Sequence, residues 1–381
     1  MSKVSTMSSG RTYHAEHVGS LLRPPYLLDA REAHEKGELT IAELRAAEDR
    51  AIEDNLRIQA DAGIPLFTDG EARRESWRAG LFESIDGVVP APRVMTWYRD
   101  GKELSPEDTL HDGVAAAAKV SRKGDLTGTE AAFMAARVPG TFKITMISVS
   151  LGGMIWHPEI SAPVYPTPAA LIEDLIPLQL AEIDGLVANH GVRSIQLDSL
   201  AYNRVIDSRR DDRIRGVQTP GELLDATIDV DSRVVGAIKR EHPDVTVAMH
   251  VCRGNYRSSW AASGSYEAVA ERLFNEVPVD RFLLEYDTER AGGFEPLRFV
   301  PGGSDGPTVV LGLVTTKVPD LEDPDGLVRR IDEAAAYVPL ENLAISPQCG
   351  FASGSLGNLI TVDDERRKLD LVVSTAQRVW G

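Results

Sequence analysis

Cys252 and Cys349 are the only cysteines among 381 residues, and Cys252 stands two residues after His250. Two thiolates and an imidazole, with one carboxylate added, make the four-coordinate donor set that zinc favours. Taken singly, these residues have plainer roles. A buried cysteine is a small apolar side chain, and a lone histidine is commonly a hydrogen-bonded core residue. Zinc gives all of them one role. A Cys252–Cys349 disulfide is the other chemistry open to two cysteines, but bridges are rare in a reducing cytoplasm, the expected compartment for a chain with so few.

The elements that would bring these groups together alternate along the chain. Short apolar segments read as strands at Tyr13–Val18, Pro65–Asp69, Phe142–Ile147, Arg193–Asp198, Val245–Val251, Arg281–Tyr286, Thr308–Val314 and Leu343–Ser346. They are apolar on both faces, as buried parallel strands are. Helical stretches lie between them. The sequence TIAE at Thr40 is a capping box that opens a helix running to Gly63, and Asp323-Pro324 caps another with proline at its first position. Eight such strands predict an α/β chain folded as a single (β/α)8 barrel over residues 13–381. The doubly wound alternative lacks its signature, because no G-x-G-x-x-G follows a strand. Residues from about 72 to 140 break the rhythm and read as an insertion after the second strand, with a hairpin at Asp100-Gly101. Residues 1–12 read as a disordered tail without the apolar core of a signal peptide.

In a barrel of this kind, chemistry belongs to the C-terminal ends of the strands and the loops after them. Those ends carry His17 and Ser20, Asp69 and Glu71, Asp198, His250 and Cys252, Glu285, Lys317, and Cys349. His250 and Cys252, at i and i+2 of an extended segment, face the same way. Glu71 and Glu285 could be a glycosidase carboxylate pair, but that reading leaves His250, Cys252 and Cys349 without a role. The composition narrows the partners further. With 41 basic against 58 acidic residues the net charge is −17, so nucleic acid and anionic membranes are poor partners. No run of 18 apolar residues could span a membrane. The oligomeric state is not legible.

Longer strings carry a resemblance. HVCRGNYRSSWAASGSYE (250–267), FLLEYDTERAGGFEPLRFVP (282–301), LGLVTTKVPDLED (311–323) and SPQCGFASG (346–354) resemble the cobalamin-independent methionine synthase superfamily, in its short, single-barrel YxjG-like branch. AEHVGSLLRP (15–24) and FTDGEARRESW (67–77) match the same branch. The resemblance implies a (β/α)8 barrel and a zinc held by His250, Cys252, Glu285 and Cys349, the set already suggested by the strand ends. It also implies that Ser20 of HVGS, Glu71 of TDGE and Asp198 of IQLD bind the amino-acid end of homocysteine, with His17 a further pocket residue. Two features depart from the full-length enzymes. Their N-terminal half, which helps to hold a polyglutamylated folate, has no counterpart here, and Lys317 of VTTKVP stands where they carry the histidine of a D-I-H-S motif.

The expected activity is zinc-dependent methyl transfer to a small thiol, homocysteine, giving methionine. The methyl donor is left open between a methylfolate, a methylated corrinoid protein and another small donor. An epoxyalkane:coenzyme M transferase is the alternative within the superfamily. It binds a thiol bearing a sulfonate, against which the carboxylates of Glu71 and Asp198 argue.

Overall fold

The computed structural model describes residues 13–381 apart from 80, 83, 106, 108, 112, 208, 210–218, 304 and 305. The expected tail, residues 1–12, lies outside the described residues. The polypeptide begins with α1 (Pro25–Glu35) and α2 (Ile41–Ala62), followed by the small strands β1 (Ile85–Pro90), β2 (Arg93–Val94), β3 (Tyr98–Arg99), β4 (Lys102–Glu103), β5 (Leu110–His111) and β6 (Val114–Arg122), then α3 (Gly128–Arg137). From there strands and helices alternate: β7 (Ile144–Ile147), α4 (Pro158–Ser161), α5 (Pro168–His190), β8 (Ser194–Asp198), α6 (Asn203–Ile206), α7 (Pro220–Glu241), β9 (Thr246–Val251), α8 (Glu267–Glu276), β10 (Arg281–Glu285), β11 (Thr308–Val314), α9 (Pro324–Ala334), β12 (Leu343–Pro347) and α10 (Val362–Trp380).

Strands β7 to β12 form one six-stranded sheet in sequential order, parallel throughout. Their residues are almost all buried, as expected of a parallel sheet covered by helices. The capping box at Thr40 forms as read, and Asp323 caps α9 with Pro324 at its first position. Among the described residues, no helix is long and apolar enough to cross a membrane.

The first two expected strands are reduced to single parallel bridges at opposite edges of this sheet, Ala15 with Ile345 beside β12 and Phe67 with Phe142 beside β7. No ladder joins them because local groups claim their backbone. Thr68 N–H donates to Gln59 Oε1 at 2.8 Å, and the Thr68 hydroxyl donates to Gly19 C=O at 2.6 Å. The chain just past the first segment meets the second region through the Thr68–Gly19 bond and a backbone bond from Leu21 N–H to Gly70 C=O at 3.1 Å.

Residues 72–140, expected as an insertion, carry the six small strands β1–β6 and the helix α3. β1 pairs with β6, and the β3–β4 hairpin turns at Asp100-Gly101, both with positive φ. Tyr98 bridges antiparallel to Trp260 and stacks on its ring, so the insertion is docked on the loop that follows β9.

Candidate metal and thiol site

The site forms where adjacent parallel strands end at one rim. β8 ends at Asp198, which pairs in register with His250 of β9. β9 passes Cys252 to the next loop, β10 ends at Glu285, and the loop after β12 begins with Gln348 and Cys349. The ligand atoms of His250, Cys252 and Cys349 lie within 4.8 Å of one another, all three residues buried. The two Sγ atoms are 3.9 Å apart, and both cysteines are free thiols, so no disulfide forms. His250 Nδ1 lies 3.2 Å from Leu283 C=O. That contact places a proton on Nδ1, and Nε2 is buried facing the sulfurs with no partner other than Cys349. A buried acceptor nitrogen beside two sulfurs is costly unless a cation or a ligand satisfies it.

Electrostatics favour an ionised sulfur here. The hydrogen bond with Cys252 pulls the Cys349 thiol well below its ordinary value against the effect of burial, and His250 and Lys317 add to the pull. The same bond, together with burial, pushes Cys252 up. Burial would lower the His250 imidazole, but the Cys349 sulfur beside it, with Asp198 and Glu285, outweighs burial and raises it.

Glu285 is not part of the three-residue cluster. Its Oε1 accepts from Arg290 at 2.7 Å and its Oε2 from Arg253 N–H at 2.7 Å. Burial favours its neutral form, yet Lys317, Arg290 and Arg253 outweigh burial and hold it below the usual carboxylate range. Lys317 is itself buried, its Nζ without a hydrogen-bond partner.

A pocket of about 460 Å³, measured out to its open mouth, lies over the cluster. Ser20, Glu71 and Asp198 line it together with His250, Cys252 and Cys349, whereas His17 does not. His17 is buried away from it, with Nε2 2.9 Å from Gln59 Oε1, and burial beside Lys143 drives its imidazole down to about 3. Glu71 follows the turn Asp69-Gly70 with φ 56°, an unusual left-handed backbone for a residue other than glycine. The turn is held by Glu71 N–H donating to Asp69 Oδ1 at 2.9 Å. Asp69 thereby acts as a turn former, and burial lifts its carboxyl to about 7. Glu71 Oε1 accepts from the Thr145 hydroxyl at 2.8 Å, and its Oε2 is buried without a partner. Asp198 is also lifted to about 7, by burial first and then by the negative charge of Glu71 and Cys349.

Several pocket residues were not foreseen. Trp77 and Trp97 come from the insertion, and Asn255 and Ser353 from the loops after β9 and β12. Asn255 Nδ2 donates to Gly350 C=O at 2.8 Å and so ties the Cys252 loop to the Cys349 loop. Trp77, Asn255 and Ser353 fall within the strings that carry the resemblance and Trp97 outside them, but the place of all four in the pocket depends on how the insertion and the loops dock.

No family model matches the chain. YxjH of Bacillus subtilis, an uncharacterized protein, is 34% identical over 376 residues, covering 97% of this chain and 95% of that one. A methionine synthase of Saccharolobus solfataricus is 24% identical over 341 residues, 87% of this chain and 86% of its own. The chain belongs to the cobalamin-independent methionine synthase superfamily. Within it, the chain stands with YxjH and YxjG, the latter 33% identical over 378 residues. A Listeria monocytogenes structure assigned as a vitamin-B12-independent methionine synthase superposes with a TM-score of 0.72 at 29% identity, covering 97% of this chain and 98% of that one. A B12-independent methionine synthase from Shewanella, solved with selenomethionine, has the same fold at a TM-score of 0.72, 18% identity, and 97% and 98% coverage. Membership of the superfamily supports a methyltransferase-type enzyme.

Proposed function

We propose that this chain is a zinc-dependent thiol methyltransferase that makes methionine from homocysteine in the cytoplasm. Its scaffold is one catalytic domain over residues 13–381, a (β/α)8 barrel with the segments at 13–18 and 65–69 as its closing strands. The observation that carries this reading is the buried His250–Cys252–Cys349 cluster at the floor of a pocket that also holds Glu71 and Asp198. The donor types fit zinc, and His250 Nε2, buried, faces only the cysteine sulfurs. His250, Cys252 and Cys349 would hold the ion, and Glu285 would join them by giving up Arg290. When bound, zinc supplies the positive charge that keeps a thiol ionised at neutral pH.

The remaining work falls to residues of the chain. Glu71 and Asp198 take the substrate ammonium, an assignment supported by the unpartnered Glu71 Oε2. Ser20 offers its hydroxyl to the substrate carboxylate, and its own backbone accepts from Phe351 N–H at 2.9 Å, in the loop after Cys349. His17 supports this wall from behind through Gln59. Trp77 and Trp97 cover the pocket from the insertion side and limit water around the reacting sulfur. The methyl donor, a folate, a corrinoid protein or another small donor, enters by the open mouth.

The test is a matrix of thiols against methyl donors on zinc-loaded protein, with the methylated thiol quantified by mass spectrometry. Methionine formed from homocysteine is the expected result. Turnover of coenzyme M with an epoxide, and none of homocysteine with any methyl donor, would overturn the reading.

A further inference from the structure

A column of buried polar groups runs along the inner face of the sheet and ends at Asp198. Arg281 Nε donates to Glu16 Oε1 at 2.9 Å, and Glu16 Oε2 accepts from Lys143 Nζ at 3.0 Å. Lys143 Nζ also donates to His17 C=O at 2.6 Å and to Gln196 Oε1 at 2.7 Å. Gln196 Nε2 in turn donates to Asp198 Oδ1 at 2.8 Å. Lys143 and Gln196 are fully buried. Gln196 and Asp198 are i and i+2 on β8, so they share a face.

The chemistry of these groups allows one arrangement. An ammonium has three protons and no lone pair, so Lys143 can meet Gln196 only at the amide oxygen. Its three donors go to three acceptors, which leaves it no slack. The orientation of a glutamine amide is ordinarily ambiguous, but here the lysine decides it and turns Nε2 toward Asp198. Asp198 must then present a lone pair at Oδ1. With that oxygen engaged, Oδ2 is the one left for the pocket, which Asp198 lines.

We propose that Gln196 is a positioning residue, set by Lys143, that aims Asp198 at the ammonium group of the thiol substrate and so makes the pocket select amino-acid thiols over thiols lacking the amine. This rests on the reading of Asp198 as an ammonium partner. Glu71, the other carboxylate in the pocket, is oriented separately by Thr145 and its own strained turn. Loss of the Gln196 bond therefore blurs selectivity without emptying the site of negative charge.

Two substitutions isolate the bond. Gln196→Glu keeps an acceptor for Lys143 but sets a carboxylate against Asp198 Oδ1. Gln196→Met keeps the length and removes both bonds. The measurement is calorimetric binding of homocysteine and of 4-mercaptobutyrate, the same thiol acid without its amine, to the purified protein and both variants. The wild type is expected to favour homocysteine at least about tenfold, and each variant to lose most of that ratio, the scale of a hydrogen bond to a charged group. A general packing defect would weaken both thiols alike and leave the ratio unchanged. The wild-type ratio surviving in both variants would overturn the inference alone. A wild-type ratio near unity would overturn the inference and, with it, the ammonium role of Asp198, while zinc content and methyl transfer would still judge the rest of the reading.

Discussion

Gly350 lies directly against Ser20: a Cβ on Gly350 would fall 2.0 Å from Ser20 Oγ, 3.1 Å from its Cβ and 3.2 Å from its backbone nitrogen. The residue after Cys349 is thus seated on the expected carboxylate-binding serine, and the two loops share one surface. Ser20 Oγ also accepts from Ala352 N–H at 3.3 Å, a bond that any side chain at 350 must disturb. Gly350→Ala is expected to cost about 1–3 kcal/mol of stability through overpacking. It should also weaken homocysteine binding, because Ser20 must turn. Thermal unfolding and KM measured together check this, and an unchanged Tm would contradict the close contact.

Glu71→Gln preserves shape and removes charge. Losing a charge-assisted bond to the substrate ammonium is worth about 1.5–3 kcal/mol, so the KM for homocysteine should rise roughly tenfold to a hundredfold. Metal content should not change, since Glu71 is outside the His250–Cys252–Cys349 cluster. An unaltered KM would place the amine elsewhere in the pocket.

Stability should fall with rising pH because of Glu365. Burial raises its carboxyl from the ordinary 4.5 to about 8, although Leu22 N–H and Arg23 pull the other way. Between those values the folded chain holds a proton that the unfolded chain releases. Unfolding is then favoured as the pH climbs through that window, and the contribution of the group is fully present only below about 4.5. Glu365→Gln keeps an oxygen for Leu22 N–H, which now donates to Glu365 Oε2 at 2.8 Å. The variant should lose less Tm than the wild type between pH 5 and pH 8, by about 3 °C or more. Parallel Tm curves for the two proteins would show that Glu365 does not titrate in this range.

Removing the metal should affect chemistry more than fold. Cys252 and Cys349 join loops that Asn255 already ties together through Gly350 C=O. Chelation is therefore expected to abolish methyl transfer while the far-ultraviolet circular dichroism is retained, and re-addition of zinc should restore activity. Collapse of the spectrum on chelation would instead make the ion a structural one.

The metal cluster was legible because two cysteines in a whole chain leave few pairings, and because H-x-C falls where a strand runs out. The six strands from β7 to β12 were legible as apolar segments separated by capped helices. Other features depend on tertiary contact and leave no local trace. Arg290, five residues after Glu285, reaches back to its carboxylate from the following loop. The strand expected at Pro65–Asp69 is apolar enough, but Gln59 takes the N–H of Thr68. Lys143 and Gln196 read as ordinary members of strands, since their partners come from other segments of the chain. His17 is a pocket residue only by the resemblance, and its ring turns to Gln59, a contact no local pattern announces.

The central claim is a zinc held by His250, Cys252 and Cys349 that homocysteine meets through its sulfur. Zinc K-edge absorption on protein purified without chelators tests it most directly, before and after homocysteine is added. The expected result is about one zinc per chain with two sulfur neighbours, rising to three with homocysteine, and loss of most of the metal in both Cys252→Ser and Cys349→Ser. A protein that carries no zinc and cannot be loaded, or a zinc shell that gains no sulfur when homocysteine is added, would contradict it.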